Sequence, residues 1–425
     1  MKILFDKTEV LGHGEVYIAV EDKYITYIGK DRPDIKFDRV IDTKNKLVIP
    51  GLYNCHTHSA MQFMRGYGED MPLDRWLNDK IFPAEDRLTP ETVYLSSKFA
   101  IAEMIRNGIC SFSDMYYFCE QTAESVGETG IKANISRSIV SFDNDADHKN
   151  DARFIESKEL FERYHNTFDG RLRVDMSLHA EYTNVEKMCF VCAEYAREKN
   201  ASFHIHLSET EKEHNECIKR HGKTPLEFFE STGVLEVPTN FAHCVWVSGS
   251  DMDLMKKYNC TATHNPASNL KLGSGVMPLS KMLEKGINVA LGTDSSASNN
   301  TLDIIKEIYL AAILQKGIDR DPSKIKAESI VKLATVNGAV SQRREKCGEI
   351  KVGNCADIVM LDLDAINNIP MFDPTYTLVY SANCSNVCFN MVDGKVLYEN
   401  GEFTTVDIER LKYDMKKLRE NYFSF

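Results

Sequence analysis

No apolar run in this sequence is long enough to cross a bilayer, and Met1 to Lys7 already carries charge where a secretory leader would need an extended apolar core. The expectation is a cytoplasmic protein with no membrane partner. No basic stretch interrupts a formal net charge of -12, which argues against a nucleic-acid backbone as the main partner. The twelve cysteines lack a disulfide pattern: residues such as Cys110, Cys244 and Cys260 sit scattered in apolar, strand-like and helix-like contexts. The Cys-x-x-Cys of Cys189 and Cys192 falls inside an expected helix from 185 to 199, with no second pair at zinc-ribbon spacing. Buried thiols in a reducing compartment follow. Also missing is a Gly-x-Gly-x-x-Gly turn, so an open doubly wound sheet loses its main support.

What is present is enough chain for a barrel-sized domain with an accessory part: 425 residues, 43% hydrophobic and 27% charged. Both ends read as short strands, with Val16 to Val20, Tyr24 to Gly29 and Lys46 to Ile49 early and Ala356 to Leu361 and Asn390 to Tyr398 late. They suggest one small sheet domain built from residues 1–49 and 344–425. Residues 50–343 alternate instead. Thr89-Pro90-Glu91 opens a helix that stops at Asn107-Gly108, and a strand from Ile109 to Asp114 follows. Further strands are expected at 173–179, 201–207, 240–244, 260–264 and 287–294, with helices between and after them at 225–231, 251–258, 278–285, 302–316, 323–339 and 406–422. Repeated strand-then-helix units imply parallel strands and an α/β fold, a (β/α)₈ TIM-like barrel.

On that scheme His56, His58, His179, His206, His243 and Asp294 all stand at C-terminal strand ends, which a barrel gathers at one mouth. His56 and His58 alternate on extended chain, so both face one point while Thr57 faces away. Three histidines, His56, His58 and His206, with Asp294 suit one divalent ion that keeps a position open for water; zinc is the first choice, with iron or manganese as alternatives. In His204-Ile205-His206-Leu207-Ser208-Glu209, His204 lies one pleat deeper and reads as a hydrogen-bonded core residue. Glu209, just past the strand, reads as a proton carrier.

His56-Thr57-His58 after Pro50-Gly51, His206 with Glu209, Ala242-His243-Cys244, His264-Asn265-Pro266 running on to Leu272, and Gly292-Thr293-Asp294 together resemble the amidohydrolase superfamily. Within it the pattern is most similar to the deaminases of 5'-methylthioadenosine and S-adenosylhomocysteine and to their triazine-hydrolase relatives. The resemblance implies a barrel plus a small β-sandwich, one metal and hydrolytic release of ammonia, often in a homo-oligomer. Two-metal members carry a strand-end lysine, whereas here the fourth strand ends in His179. It further implies that Trp76 walls the pocket, Glu85 accepts from two ribose hydroxyls, His179 meets the purine, and Arg137 and Arg153 hold the carboxylate of S-adenosylhomocysteine. Glu181 stands where relatives carry proline and is expected to place a charge near the mouth.

The chemistry expected is that of a water whose pKa a divalent ion lowers to about 7. Asp294 takes its proton, His243 holds the attacking oxygen, and Glu209 protonates a ring nitrogen as C6 of the purine becomes tetrahedral. The alternative enzyme is a guanine, pterin or triazine aminohydrolase, for which Glu85 has no ribose to hold. A catalytically silent binding barrel is the alternative outside enzymes; it has no use for Glu209 and His243.

Overall fold

The computed structural model describes residues 1–423. Both chain ends enter one nine-stranded sheet, in the order Glu402–Phe403, Lys395–Glu399, Val387–Val392, Ile358–Asp362, Lys46–Pro50, Lys2–Val10, Gly14–Glu21 and Tyr24–Gly29, with Arg39–Ile41 alongside Lys2–Val10. The joint is antiparallel, with Val359 opposite Ile49. Within Lys46–Pro50 the central Leu47, Val48 and Ile49 are consecutively apolar because the strand is covered on both faces. Val48 packs with Ile3, Phe5, Ile18 and Phe389 in the core of the end sheet, while Leu47 and Ile49 face the main core. The rings of Phe5 and Phe389 meet edge to face at 5.7 Å.

The expected alternation appears as two parallel sheets. One holds Leu52–Thr57, Ile109–Tyr116, Lys132–Arg137 and Leu172–Val174; the other holds Met176–Leu178, Phe203–Leu207, Thr239–His243, Thr261–His264 and Asn288–Leu291. The strand expected at 173–179 is therefore divided at Asp175 and shared between the two. At this seam Asp175 N donates to Ile135 O at 2.9 Å, and Ile139 bridges Leu178. At the other seam Asp294 N donates to His56 O at 2.9 Å, and Asn54 Nδ2 donates to Thr293 Oγ1 at 2.7 Å.

Local chemistry accounts for the helix ends. Thr89 Oγ1 accepts from Thr92 N at 3.2 Å to start Pro90–Arg106, and Gly108 turns left-handed at φ 80° after it. The His-x-His pair stands at the end of its own strand, Leu52–Thr57, with His58 just past it, and Gly51 separates that strand from the end-sheet strand Lys46–Pro50. Two sequence readings need correction. The helix expected at 323–339 is two helices, Ala327–Ala334 and Val336–Ser341, broken where Thr335 takes φ -126° and ψ -99°. The helix expected at 302–316 starts later, as Ile304–Asp319, because Asp303 caps it through Ile305 N at 2.9 Å.

Beneath the parallel strands a buried ammonium joins them to the end sheet. Lys132 Nζ, at the foot of its strand, donates to both carboxylate oxygens of Asp357 at 2.7 and 2.6 Å and pairs with Asp393 at 2.7 Å. Burial opposes the charge, but the two carboxylates outweigh it and raise the lysine above its ordinary pKa. All twelve cysteines are free, and none of the described helices is long and apolar enough to cross a membrane.

Candidate metal centre and active site

Four donor atoms from three separate stretches converge where the strands end. His206 Nε2 lies 3.2 Å from His58 Nε2, and Asp294 Oδ1 lies 3.5 Å from both His56 Nε2 and His58 Nε2. The spacing within His56, His58 and His206, and within His56, His243 and Asp294, suits one shared cation. The backbone is turned to aim these groups: His243 adopts φ 73°, Asp294 φ 61° and Ser208, beside Glu209, φ 46°. Left-handed backbone at non-glycine residues costs energy, and here it falls at three strand ends of one mouth.

Outer contacts set the tautomers. His58 Nδ1 donates to Met115 O at 2.6 Å and His206 Nδ1 to His179 O at 2.8 Å, so each presents an unprotonated Nε2 inward. His56 Nδ1 meets His204 Nε2 at 2.8 Å. The His204 expectation and the structure agree on a buried, bonded residue, and its partner proves to be a member of the donor group. His56 Nε2 is buried with no hydrogen-bond partner among the described residues, an orphan that a cation would satisfy. Burial pushes the His56 imidazole down to about 3, so it stays neutral and able to ligate.

Asp294 is held from both sides. Oδ2 accepts from Ser268 Oγ at 2.6 Å and Ser298 Oγ at 2.9 Å, while Oδ1 accepts from Ser295 N at 2.7 Å and faces the histidines. Burial opposes its ionisation, but the imidazoles and His56 in particular keep its pKa well below the usual carboxylate value. Across the donor group, Glu209 Oε2 and His243 Nε2 lie 3.8 Å apart. Burial raises the Glu209 carboxyl, and Ser274 Oγ donates to its Oε1 at 3.2 Å. His243 Nδ1 donates to Asn269 Oδ1 at 2.8 Å. Glu213, one turn into helix Glu211–His221, accepts from the backbone of Ser208 and Glu209 at 2.8 Å each and fixes that corner.

Two connected chambers meet here. The inner one, about 70 Å³, is lined by His58, Trp76, Glu85, His179, Glu209 and Asp294. The outer one, about 1350 Å³, shares Glu85, Tyr117, His179 and Glu209 and adds Arg137 and Arg153. Trp76 is buried, and burial lifts Glu85 to about 7, with the Tyr116 hydroxyl and His58 working against the shift. Every expected site residue lines one of the two chambers except His56, which is fully buried within the donor group. Arg137 and Arg153 line only the outer one, remote from the donor group.

Glu181 departs from expectation. Its carboxylate is 1% exposed and turned away from the mouth, paired with Arg220 Nη2 at 2.7 Å and His221 Nε2 at 2.9 Å. The short turn Glu181–Thr183 points it into the last turn of helix Glu211–His221, which carries those cations. Several contributors escaped sequence reasoning. Ser298 and Tyr116 carry no spacing signal. The run from Asn265 to Leu272 supplies Ser268 and Asn269 directly to Asp294 and His243.

Residues 47–397 match the Amidohydrolase family. The chain is 41% identical over 406 residues to the 5-methylthioadenosine/S-adenosylhomocysteine deaminase of Acetivibrio thermocellus, covering 95% of this chain and 93% of that one. It is 40% identical over 394 residues to the 5'-deoxyadenosine deaminase of Methanosarcina acetivorans, covering 93% and 90%. An adenosine deaminase from Xanthomonas campestris, solved with bound zinc, superposes with a TM-score of 0.92 at 27% identity over 100% of this chain and 98% of its own. With the motif order, the strand-end donors and these likenesses in agreement, the chain belongs to the amidohydrolase family and is a hydrolase of C–N bonds.

Proposed function

We propose that this protein removes the amino group from C6 of an adenosine-type nucleoside, 5'-methylthioadenosine, S-adenosylhomocysteine or a close 5'-modified analogue, releasing ammonia and the inosine product. The observation that carries the reading is the convergence of three imidazole Nε2 atoms and Asp294 Oδ1 opposite Glu209 and His243. The names borne by the bacterial and archaeal relatives point to the same substrates.

His56, His58, His206 and Asp294 would hold one divalent ion, zinc before iron or manganese, and that ion supplies water acidified towards neutral pH. Asp294, fixed by Ser268 and Ser298, accepts a proton from the attacking water. His243 Nε2 steadies the attacking oxygen, its ring anchored through Asn269. Glu209, whose burial favours the protonated form, donates to the ring nitrogen as C6 becomes tetrahedral, and ammonia leaves with the proton that Asp294 took up. Trp76 and His179 wall the base, and Glu85 accepts from the ribose diol. The fold that serves this chemistry is a closed (β/α)₈ barrel over residues 50–343, the two parallel sheets joined at both seams, with the chain ends forming a β-sandwich on its underside.

The test is ammonia release by zinc-loaded protein from methylthioadenosine, S-adenosylhomocysteine and 5'-deoxyadenosine, followed by chelation and metal return. Turnover of at least one, lost on chelation and restored by metal, is expected. No turnover of any, with activity on guanine or a triazine, would reject the reading.

A further inference from the structure

Both proton-handling side chains lean on one short segment. Asn269 Oδ1 accepts from His243 Nδ1 at 2.8 Å, and Ser274 Oγ donates to Glu209 Oε1 at 3.2 Å. A backbone bond from Ser274 N to Asn269 O at 2.8 Å joins the two ends of the segment. Its far end is held by Trp246, three residues beyond strand Thr239–His243, whose Nε1 donates to Ser274 O at 2.8 Å. From the same stretch Val245 N and Trp246 N donate to Ser208 O at 3.1 and 2.9 Å, next to Glu209. One residue thus grips the backbone beside Glu209 with its amide and the backbone of Ser274 with its ring. The approach is close: a Cβ on Gly275, where φ is 123°, would lie 2.9 Å from Val245 Cγ1. Trp246 is 38% exposed, so core filling does not account for it, and it lines neither chamber of the site.

We propose that Trp246 is a positioning residue for the proton donor: by pinning Ser274 O it aims the Ser274 hydroxyl at Glu209 Oε1 and leaves Oε2 facing His243. The indole N–H is a donor only, and the Ser274 carbonyl is the acceptor it meets. Without that bond Ser274 is free to shift, and the carboxyl loses the contact that fixes its direction. A proton donor out of line slows the chemical step while substrate binding, which Trp246 does not touch, is left alone. The inference rests on the deaminase reading above in one respect, that Glu209 delivers the proton.

The test measures kcat, KM and bound zinc for Trp246→Phe, which keeps an aromatic ring and loses the N–H, alone and combined with Ser274→Ala and with Glu209→Gln. On whichever aminated substrate the zinc-loaded protein turns over, Trp246→Phe should lower kcat by about 3- to 10-fold, with KM and zinc content at the wild-type level. Adding it to Ser274→Ala or to Glu209→Gln should cost nothing further, because all three act through one chain of contacts. A general loosening of the fold would lower kcat again in each background. Wild-type kcat in Trp246→Phe, or losses that multiply in either pair, would overturn the inference. A wild type that turns over guanine or a triazine but no adenosine-type nucleoside rejects the deaminase reading and still decides this inference through its variants. A wild type inactive on all of them overturns both.

Discussion

At the scale of single residues, the surroundings push two carboxyl groups in opposite directions. Asp294 is kept ionised among imidazoles, whereas Glu209 is pushed towards its protonated form by burial. Glu209→Gln keeps the shape and removes the transferable proton, so kcat should fall by about 10²- to 10⁴-fold with KM little changed, as steady-state kinetics would register. A second titration is expected from Glu85, which burial raises to about 7. Below that pH it becomes protonated and, on the proposed reading, would lose one acceptor for the ribose diol. The ratio kcat/KM for nucleosides with an intact diol should therefore decline as pH falls through about 7, and the 2',3'-dideoxy analogue should lack this component. The principal side chains of the site were legible in sequence because alternation on strands and position at strand ends are periodic signals, as with His56 and His58, or His204 and His206. Ser298 and Asn269 were not, because a hydroxyl or amide supporting a neighbour has no period of its own. Glu181 misled: its charge was readable, but its direction depends on Arg220 and His221, about forty residues away.

At the scale of elements, tight approach between neighbouring strands holds the donor group in shape. Gly292 closes the last parallel strand against the first: a Cβ there would lie 2.4 Å from Asn265 Oδ1, 2.8 Å from Thr263 Cγ2 and 2.9 Å from His56 Cβ. Gly292→Ala should shift His56 and cost about 1–3 kcal/mol of stability by overpacking. Metal titration should show weaker zinc binding by roughly 10- to 100-fold, the range seen when support around a ligand is disturbed. An unchanged affinity would mean that the seam has slack. Alternation of strands and helices was legible from apolar runs punctuated by Gly, Pro and capping residues. The break at Thr335 and the division at Asp175 were not, because each is imposed by tertiary packing and the local residues would continue the element.

At the scale of the whole molecule, Lys132 ties the floor of the parallel strands to the end sheet through Asp357 and Asp393. Lys132→Met would strand two carboxylates in a dry site, and chemical denaturation should report a loss of about 3–5 kcal/mol. Restoring charge balance with Asp357→Asn in the same chain should recover part of it. The sheet made from both ends was foreseeable because its texture, short β-branched strands without helical period, occurs only near the two termini. Its register was not, since pairing Lys46–Pro50 with Ile358–Asp362 spans about 300 residues with no local signature.

That pairing has a bearing on biosynthesis. One edge of Lys46–Pro50 stays without its neighbour until residue 362 has left the ribosome, a wait of roughly 15–60 s at ordinary elongation rates. During that interval the nascent polypeptide displays an apolar strand with open backbone groups, the kind of edge that invites aggregation. Shielding by a chaperone over this window, rather than the pace of the finished domain's own collapse, should govern how much protein reaches the native state.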